Sequence, residues 1–307
     1  MATTVSLSTA LALPRPTRNV EQVESDLTEF GYGILEGALS PEEAAEVRDI
    51  VAAEVAKEER AGALAEAYTD RDAKNRRLLT VVDRHKRFQD LVEHPVVLRL
   101  VRHLLGPSYL NEHYLLHSYS ANVTRPGSAA MGIHADIDYL RPAVPYFTFP
   151  AFAQVIWFLD DFDEEVGATR VVPKSHLLGH GPVKDGSVTY ESVPAEGPAG
   201  SMLVFDGRLF HGTGANVSVD RERAGLIAGY IQPCLRPLAF YPMILDPEAM
   251  REASELVRQM LGYGTVNVGF DQPWRNARED VAQLAVGQNR TIEDMRREVR
   301  PEAGRAV

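Results

Sequence analysis

Three residues of this 307-residue chain have the types and spacing of a metal site. His134 and Asp136 lie two positions apart in the stretch GIHADIDY, and His211 follows the apolar run LVFDGRLF. On a β-strand, side chains two positions apart project from the same face, so His134 and Asp136 are predicted to point the same way. Such a pair can occupy two adjacent positions on one ion, with His211 as the third ligand. Asp138 has the same strand parity and is a competing ligand, but we expect it to face the substrate or to be structural.

Two imidazoles and one carboxylate form the facial triad of non-haem Fe(II) oxygenases, which leaves three coordination positions for cosubstrate and O₂. A His-x-Asp pair alone is common by chance, and most such pairs are polar residues on a solvated surface. The order of the three residues, the β-rich sequence around them and the basic residues shortly after His211 favour the metal site. The sequence therefore predicts an iron centre held by His134, Asp136 and His211.

The elements that must position these residues are mostly short strands. Between about residues 108 and 234, β-type runs are separated by Gly, Pro and acidic turns, a texture typical of an antiparallel sandwich or barrel. We predict a mainly β protein with flanking α-helices and a double-stranded β-helix core of the jelly-roll, cupin-like type. The predicted strands include HYLLHSYSANV, MGIHADI, FAQVIWFLDD, ATRVVP, SVTYESV, GSMLVFDG and AGLIAGYIQP.

Helices are predicted on either side of this block. Ser40, Pro41 and Glu43 form a capping-box signature that starts a long helix. The other predicted helices cover 20–30 and 95–106, and a last helix is predicted within 242 to about 264.

We interpret the chain as a single jelly-roll domain over residues 19–270. A flexible N-terminal arm at 1–18 precedes it, and a partly frayed C-terminal extension at 271–307 follows it.

Bulk properties exclude several kinds of partner. The net charge of -11 opposes binding to phosphate backbones, so we expect no nucleic acid partner. No apolar run approaches the roughly 20 residues that span a bilayer, so we expect no membrane partner. The single cysteine, Cys234, excludes an internal disulfide and fits a reducing, cytoplasmic location. The expected partner is a small-molecule substrate, with a homodimer left open.

The ordered motifs resemble the phytanoyl-CoA dioxygenase family of Fe(II)/2-oxoglutarate-dependent oxygenases, particularly its natural-product tailoring branch. The likeness runs from EFGYGILEGALSPEEAAEV through HAD and VGATRVVPKSHLLG to HGTGANVSVDRERAGLIAGYI, over about residues 20 to 235. It implies that His134, Asp136 and His211 bind Fe(II) and that 2-oxoglutarate and O₂ are cosubstrates. Relatives that halogenate lack the carboxylate, so the retained Asp136 favours oxygenation.

The family also uses an arginine shortly after the distal histidine to hold the far carboxylate of 2-oxoglutarate. A planar guanidinium can bind that carboxylate through two parallel hydrogen bonds. The family spacing falls here on Glu222, between Arg221 and Arg223. Counting back from the strand AGLIAGY favours Arg223, with Arg221 as the alternative.

Weaker candidates complete the predicted cosubstrate site. Thr213 matches a family hydroxyl on the same carboxylate, and Trp157 matches an aromatic residue that flanks the cosubstrate. For Trp157, burial in the core explains the residue almost as well. Gln154 and Thr169 are candidates by strand position alone.

The segment YLRPAVPYFTFPAF after the ligand pair is rich in aromatic residues and proline. It is interpreted either as a pocket wall or lid over the iron or as a loop packed onto the jelly roll. A wall of this kind would suit a small apolar or aromatic molecule. The predicted substrate contacts are Asp138, Tyr139, Tyr146 and Phe147.

The predicted activity is oxidation of a small metabolite of secondary metabolism by an Fe(II)/2-oxoglutarate-dependent dioxygenase. Hydroxylation is the expected outcome, with desaturation, epoxidation or rearrangement as other outcomes of the same centre. Two alternatives stay open: a catalytically silent jelly-roll protein that binds metal or a small molecule, and a non-oxidative metal-dependent isomerase.

Overall fold

The computed structural model describes residues 3–5, 13–62, 74–106, 114–140 and 145–263. The C-terminal extension at 271–307 and the domain end at 270 lie outside these residues. Within the predicted arm, Thr3–Val5 forms a short strand. None of the helices in the described ranges is both long and apolar enough to cross a bilayer.

Short strands dominate the middle of the chain, as the alternation of apolar runs and turns predicts. The described residues contain β1 (Thr3–Val5), β2 (Tyr32–Leu35), β3 (Asn75–Leu79), β4 (Leu115–Thr124), β5 (Phe152–Phe158), β6 (Thr169–Val172), β7 (Val188–Tyr190), β8 (Val193–Pro194), β9 (Met202–Asp206), β10 (Phe210–Thr213) and β11 (Arg223–Ile231).

Two antiparallel sheets form the jelly roll. The large sheet has the strand order β2-β9-β5-β11-β4-β3, and the small sheet has the order β10-β6-β8. Ile156 and Phe205 of the large sheet pack with Val171 of the small sheet in one buried apolar cluster. The interior of the jelly roll therefore lies between the sheets. A separate pair, β1 and β7, is parallel.

Helices cover the other face of the large sheet. They are α1 (Val20–Phe30), α2 (Pro41–Ala61), α3 (Lys86–Val92), α4 (Pro95–Leu105), α5 (Pro247–Glu252) and α6 (Glu255–Met260). The largest apolar cluster joins their buried faces to alternate residues of β4, β5 and β11, such as Ala121, Val155 and Leu226. This layer leaves the opposite face of the sheet for the site.

The predicted capping box of α2 is present. The Ser40 side chain accepts a hydrogen bond from the Glu43 amide at 3.1 Å, and the Glu43 carboxylate accepts one from the Ser40 amide at 2.9 Å. These reciprocal bonds satisfy two amides that the helix itself cannot pair.

Three local features differ from the sequence predictions. The single helix expected between 242 and 264 is two short helices, because Ala253 is extended and the Ser254 side chain caps a new start at α6. Helix α3 was not predicted, since it is only 7 residues long. Strand β3 was not among the predicted strands, and it ends before Thr80, whose φ is 52°.

Candidate active site

The structure brings His134, Asp136 and His211 together. One donor atom from each lies within 4.8 Å of the other two, and no other such group of three metal-binding side chains occurs in the described part of the chain. The Oδ1 atom of Asp136 is 3.8 Å from Nε2 of His134 and 3.6 Å from Nε2 of His211. These separations suit three ligands of one ion.

The two histidines meet across a single antiparallel bridge. The amide of each donates to the carbonyl of the other at 2.8 Å. His211 belongs to β10, but His134 lies outside the named strands. The small sheet therefore positions the first ligand through its edge strand.

The predicted strand through His134 and Asp136 was wrong. Asp136 begins a 3₁₀ helix, Asp136–Leu140, instead of continuing an extended segment. The Ile137 amide donates to the carbonyl of Gly207 at 2.9 Å, which ties this helix to the turn between β9 and β10. The carboxylate thus reaches the histidines through a tight turn and not through strand parity.

Backbone carbonyls orient both imidazoles. Nδ1 of His134 is 3.0 Å from the Gly132 carbonyl, and Nδ1 of His211 is 3.0 Å from the Leu209 carbonyl. A carbonyl oxygen only accepts, so each Nδ1 donates to it and Nε2 is the nitrogen left to bind a metal. Burial, with the neighbouring His211, lowers the pKa of His134 to about 4. Both rings turn Nε2 toward the Asp136 carboxylate.

Asp138 is held away from the group of three. The Tyr146 hydroxyl donates to its Oδ1, and Lys184 Nζ lies 3.0 Å from its Oδ2. Both oxygens are therefore engaged, and the carboxylate links the 3₁₀ helix to two later loops. Tyr146 is buried and Phe147 packs against Phe149 with ring centroids 5.3 Å apart. The side chain of Tyr139 lies outside the described residues.

Burial separates the two candidate arginines. Arg221 is 43% exposed and pairs with Asp163 and Glu165 outside the jelly roll. Arg223 is 2% exposed at the start of β11. Its Nη2 donates to the Gly167 carbonyl, whereas its buried Nε has no hydrogen-bond partner among the described residues. Burial, reinforced by the positive charge of Arg77, lowers the pKa of Arg223 to about 9.

Three more candidates line the interior with His211. Thr213 is two positions after His211 on β10, and Thr169 of β6 lies directly opposite Thr213. Gln154 shares the parity of Ile156, which packs between the sheets, and its Oε1 is buried without a partner in the described part of the chain. The structure therefore places hydroxyl and amide groups on the walls that face the histidines.

Trp157 is not brought to this group. It packs in the helix-facing cluster, with its ring edge-on to His94 at 5.5 Å between centroids. Its neighbours Ile156 and Phe158 point into the interior instead. We leave Trp157 out of the proposed cosubstrate site.

Two residues that the sequence did not single out are Arg77 and Asn122. They lie opposite each other on the neighbouring strands β3 and β4. Asn122 also lies opposite Gly225 of β11, so its side chain faces the interior. The charge of Arg77 lowers the pKa values of both Arg223 and His134, which places it electrostatically near both. The alternation of polar residues in SYSANVT along β4 was the available signal for this wall.

His117 was also missed. Its ring lies edge-on to Phe152 with centroids 4.9 Å apart, and its Nδ1 is buried without a partner in the residues that the structure covers. Burial lowers its pKa to about 4, although the charge of Asp136 acts in the opposite direction. His117 is therefore a neutral imidazole near the carboxylate of the triad. A histidine within an apolar strand was the only sequence signal.

Comparisons with known proteins agree with this geometry. A family model described as phytanoyl-CoA dioxygenase matches residues 27–225. The curated protein dioxygenase af480 of Aspergillus fumigatus is 31% identical over 255 residues, which cover 80% of this chain and 77% of that protein.

Two solved structures from nogalamycin biosynthesis share the fold. The epimerase SnoN, in complex with Fe3+, alpha ketoglutarate and nogalamycin RO, matches with a TM-score of 0.51 at 22% identity. The match covers 69% of this chain and 83% of the SnoN chain. The non-heme alpha ketoglutarate dependent carbocyclase SnoK matches with a TM-score of 0.53 at 21% identity. This match covers 71% of this chain and 87% of the SnoK chain. The predicted jelly-roll fold is confirmed.

Proposed function

The chain belongs to the phytanoyl-CoA dioxygenase family, and we propose that it is an Fe(II)/2-oxoglutarate-dependent dioxygenase that oxidises a small metabolite of secondary metabolism. The observation that carries the proposal is the convergence of His134, Asp136 and His211 within 4.8 Å, with both imidazoles turned to present Nε2. The similarity to a fungal dioxygenase supports the same class of reaction.

The residues present fit an iron ion. Nε2 of His134, Nε2 of His211 and the carboxylate of Asp136 would hold it, which is the donor set of a facial triad. The Oδ2 atom of Asp136 is buried and has no hydrogen-bond partner in the described ranges, so a cation would compensate its burial. When bound, Fe(II) with 2-oxoglutarate and O₂ supplies the oxidising chemistry for a substrate C–H bond.

The interior also fits a dicarboxylate. Arg223 would bind the far carboxylate of 2-oxoglutarate through its free edge, and Thr213 would donate a hydroxyl to the same group. Thr169 and Gln154 would line the remainder of the cosubstrate site. A buried guanidinium with no carboxylate in ion-pair contact, among the residues described, supports an anionic ligand, because an uncompensated buried charge is costly.

Asp136 bears on the reaction outcome. Its carboxylate occupies the ligand position that halide takes in halogenating relatives, so we infer oxygenation, with hydroxylation first. The structurally similar proteins SnoN and SnoK are an epimerase and a carbocyclase, so we keep rearrangement as a second proposed outcome.

The substrate is proposed to be apolar or aromatic. Tyr146 packs in a buried cluster with Ile137 and Phe152, directly beside the 3₁₀ helix that starts at Asp136. Phe147 and the half-exposed Phe149 extend this apolar surface outward. Asp138 would hold this wall in place through the Tyr146 hydroxyl, and Tyr139 stays a proposed contact by its position in the sequence.

Anaerobic addition of Fe(II) and 2-oxoglutarate tests the proposal. The wild-type protein should give the weak visible charge-transfer band of the chelate and, after air is admitted with a metabolite library, release succinate. Asp136→Ala should lose the band, whereas the control Asp49→Ala, in an exposed position of α2, should keep it. A folded wild-type protein without the band would contradict the proposal and favour the silent binder or the isomerase.

A further inference from the structure

The guanidinium of Arg223 is stacked on an aromatic ring. Its central carbon lies 4.4 Å from the centroid of the Phe162 ring. Phe162 stacks in turn on Phe158, with centroids 3.8 Å apart and an interplanar angle of 9°. The three side chains are buried and form a continuous stack inside the jelly roll, in the order Arg223, Phe162, Phe158.

The backbone fixes the position of Phe162. Its amide donates to the Gly197 carbonyl, and the Gly197 amide donates back, both at 2.9 Å. Gly225 of β11 provides the space for the ring, because a Cβ there would lie 3.0 Å from Phe162 Cζ and 3.4 Å from Ile156 Cγ2. The Phe162 ring is therefore held by the backbone pairing with Gly197 on one side and by contact with β11 at Gly225 on the other.

Two sides of the Arg223 guanidinium are already in contact with the protein. Nη2 donates to the Gly167 carbonyl, and the Phe162 ring covers one face. Gly167 has a φ of 79°, and a Cβ there would lie 2.5 Å from the Gly214 carbonyl oxygen, so this turn requires glycine. A carboxylate would then approach in the plane of the guanidinium, at an edge that the Gly167 carbonyl does not occupy.

We propose that Phe162 is a positioning residue for the cosubstrate: it holds the guanidinium plane of Arg223 so that its open edge meets the far carboxylate of 2-oxoglutarate. The inference rests on the proposed function. Two parallel hydrogen bonds to a carboxylate require the two groups to be coplanar, and a tilted guanidinium makes only one of them well. The ring also stabilises the cation in a desolvated site.

Calorimetric titration of the full-length, Mn(II)-loaded protein tests this role without turnover. The ligands are 2-oxoglutarate and oxalate, which chelates a metal but has no far carboxylate. The variants are Phe162→Leu and the control Phe88→Leu, which alters a buried phenylalanine in the helix-facing cluster.

Phe162→Leu should weaken 2-oxoglutarate binding by about 3- to 30-fold, the range expected when a tilted guanidinium loses most of one of its two hydrogen bonds to the carboxylate. Its affinities for Mn(II) and oxalate should stay at the wild-type value. Phe88→Leu, which shortens a buried phenylalanine away from Arg223, should not change 2-oxoglutarate binding.

Unchanged 2-oxoglutarate binding in Phe162→Leu overturns the inference, as does an equal loss of oxalate binding. If Phe162→Leu does not fold, Phe162→Met replaces the ring at similar volume, and the same comparison decides. A wild-type protein that binds Mn(II) but not 2-oxoglutarate contradicts the proposed function itself.

Discussion

Replacing Arg223 by methionine separates the binding of 2-oxoglutarate from the stability of the fold. The side chain is 2% exposed, and the variant removes both hydrogen bonds that its open edge would give to a carboxylate. Hydrogen bonds to charged groups contribute about 1.5 to 3 kcal/mol each, and part of this loss is recovered by relaxation. We expect the Kd for 2-oxoglutarate to rise about 30- to 1000-fold, which corresponds to about 2 to 4 kcal/mol.

The same variant should not destabilise the ligand-free protein. It removes a buried charge that has no carboxylate partner in the described part of the chain, at the cost of one hydrogen bond to Gly167 and the contact with Phe162. The melting temperature without ligand should therefore stay equal or rise. In the wild type, 2-oxoglutarate at a hundred times its Kd should stabilise the fold by about 2.7 kcal/mol, and at the same concentration this gain should fall below about 1 kcal/mol in the variant.

Calorimetry of the Mn(II)-loaded protein and thermal unfolding with and without 2-oxoglutarate measure the two effects. Arg221→Met is the matched control, because Arg221 contacts Asp163 and Glu165 outside the jelly roll. Its affinity for 2-oxoglutarate should equal that of the wild type. A larger loss in Arg221→Met than in Arg223→Met would refute the assignment of the carboxylate to Arg223.

Three further substitutions test the surrounding architecture. Asp136→Ala should abolish succinate formation, since it removes one of three ligands, and retained turnover in a succinate assay would mean that another carboxylate binds the metal. Gly167→Ala should lower the free energy of unfolding in urea by about 1 to 3 kcal/mol, because the residue has a φ of 79° and no room for a Cβ; wild-type stability would show that the turn tolerates a side chain. Trp157→Phe should leave the Kd for 2-oxoglutarate unchanged while reducing stability, because the indole packs against the helices; weaker binding would return this ring to the cosubstrate site.

Local chemistry made several features predictable from the sequence. The donor set of His134, Asp136 and His211 follows from residue type and order, which do not depend on the path of the chain. The capping box of Ser40 and Glu43 was predictable because its two hydrogen bonds span only three residues.

The faces of buried strands were not predictable. Every residue of β5 is buried, since helices cover one face of the large sheet and the small sheet covers the other. A strand buried on both faces has no alternation of polar and apolar residues, so the sequence cannot show which way Trp157 and Gln154 point. Only the packed structure separates these two candidates.

The sequence by itself determined the ligand types, the family and the jelly-roll class, because these depend on composition, order and local periodicity. The tertiary structure decided which arginine is buried, since Arg221 and Arg223 have the same strand parity and β11 begins only at Arg223. It also decided how Asp136 meets the histidines, through a 3₁₀ helix tied to Gly207, and it placed Phe162 over Arg223. Such contacts join segments far apart in the chain, and the packing of both sheets and the helix layer determines them.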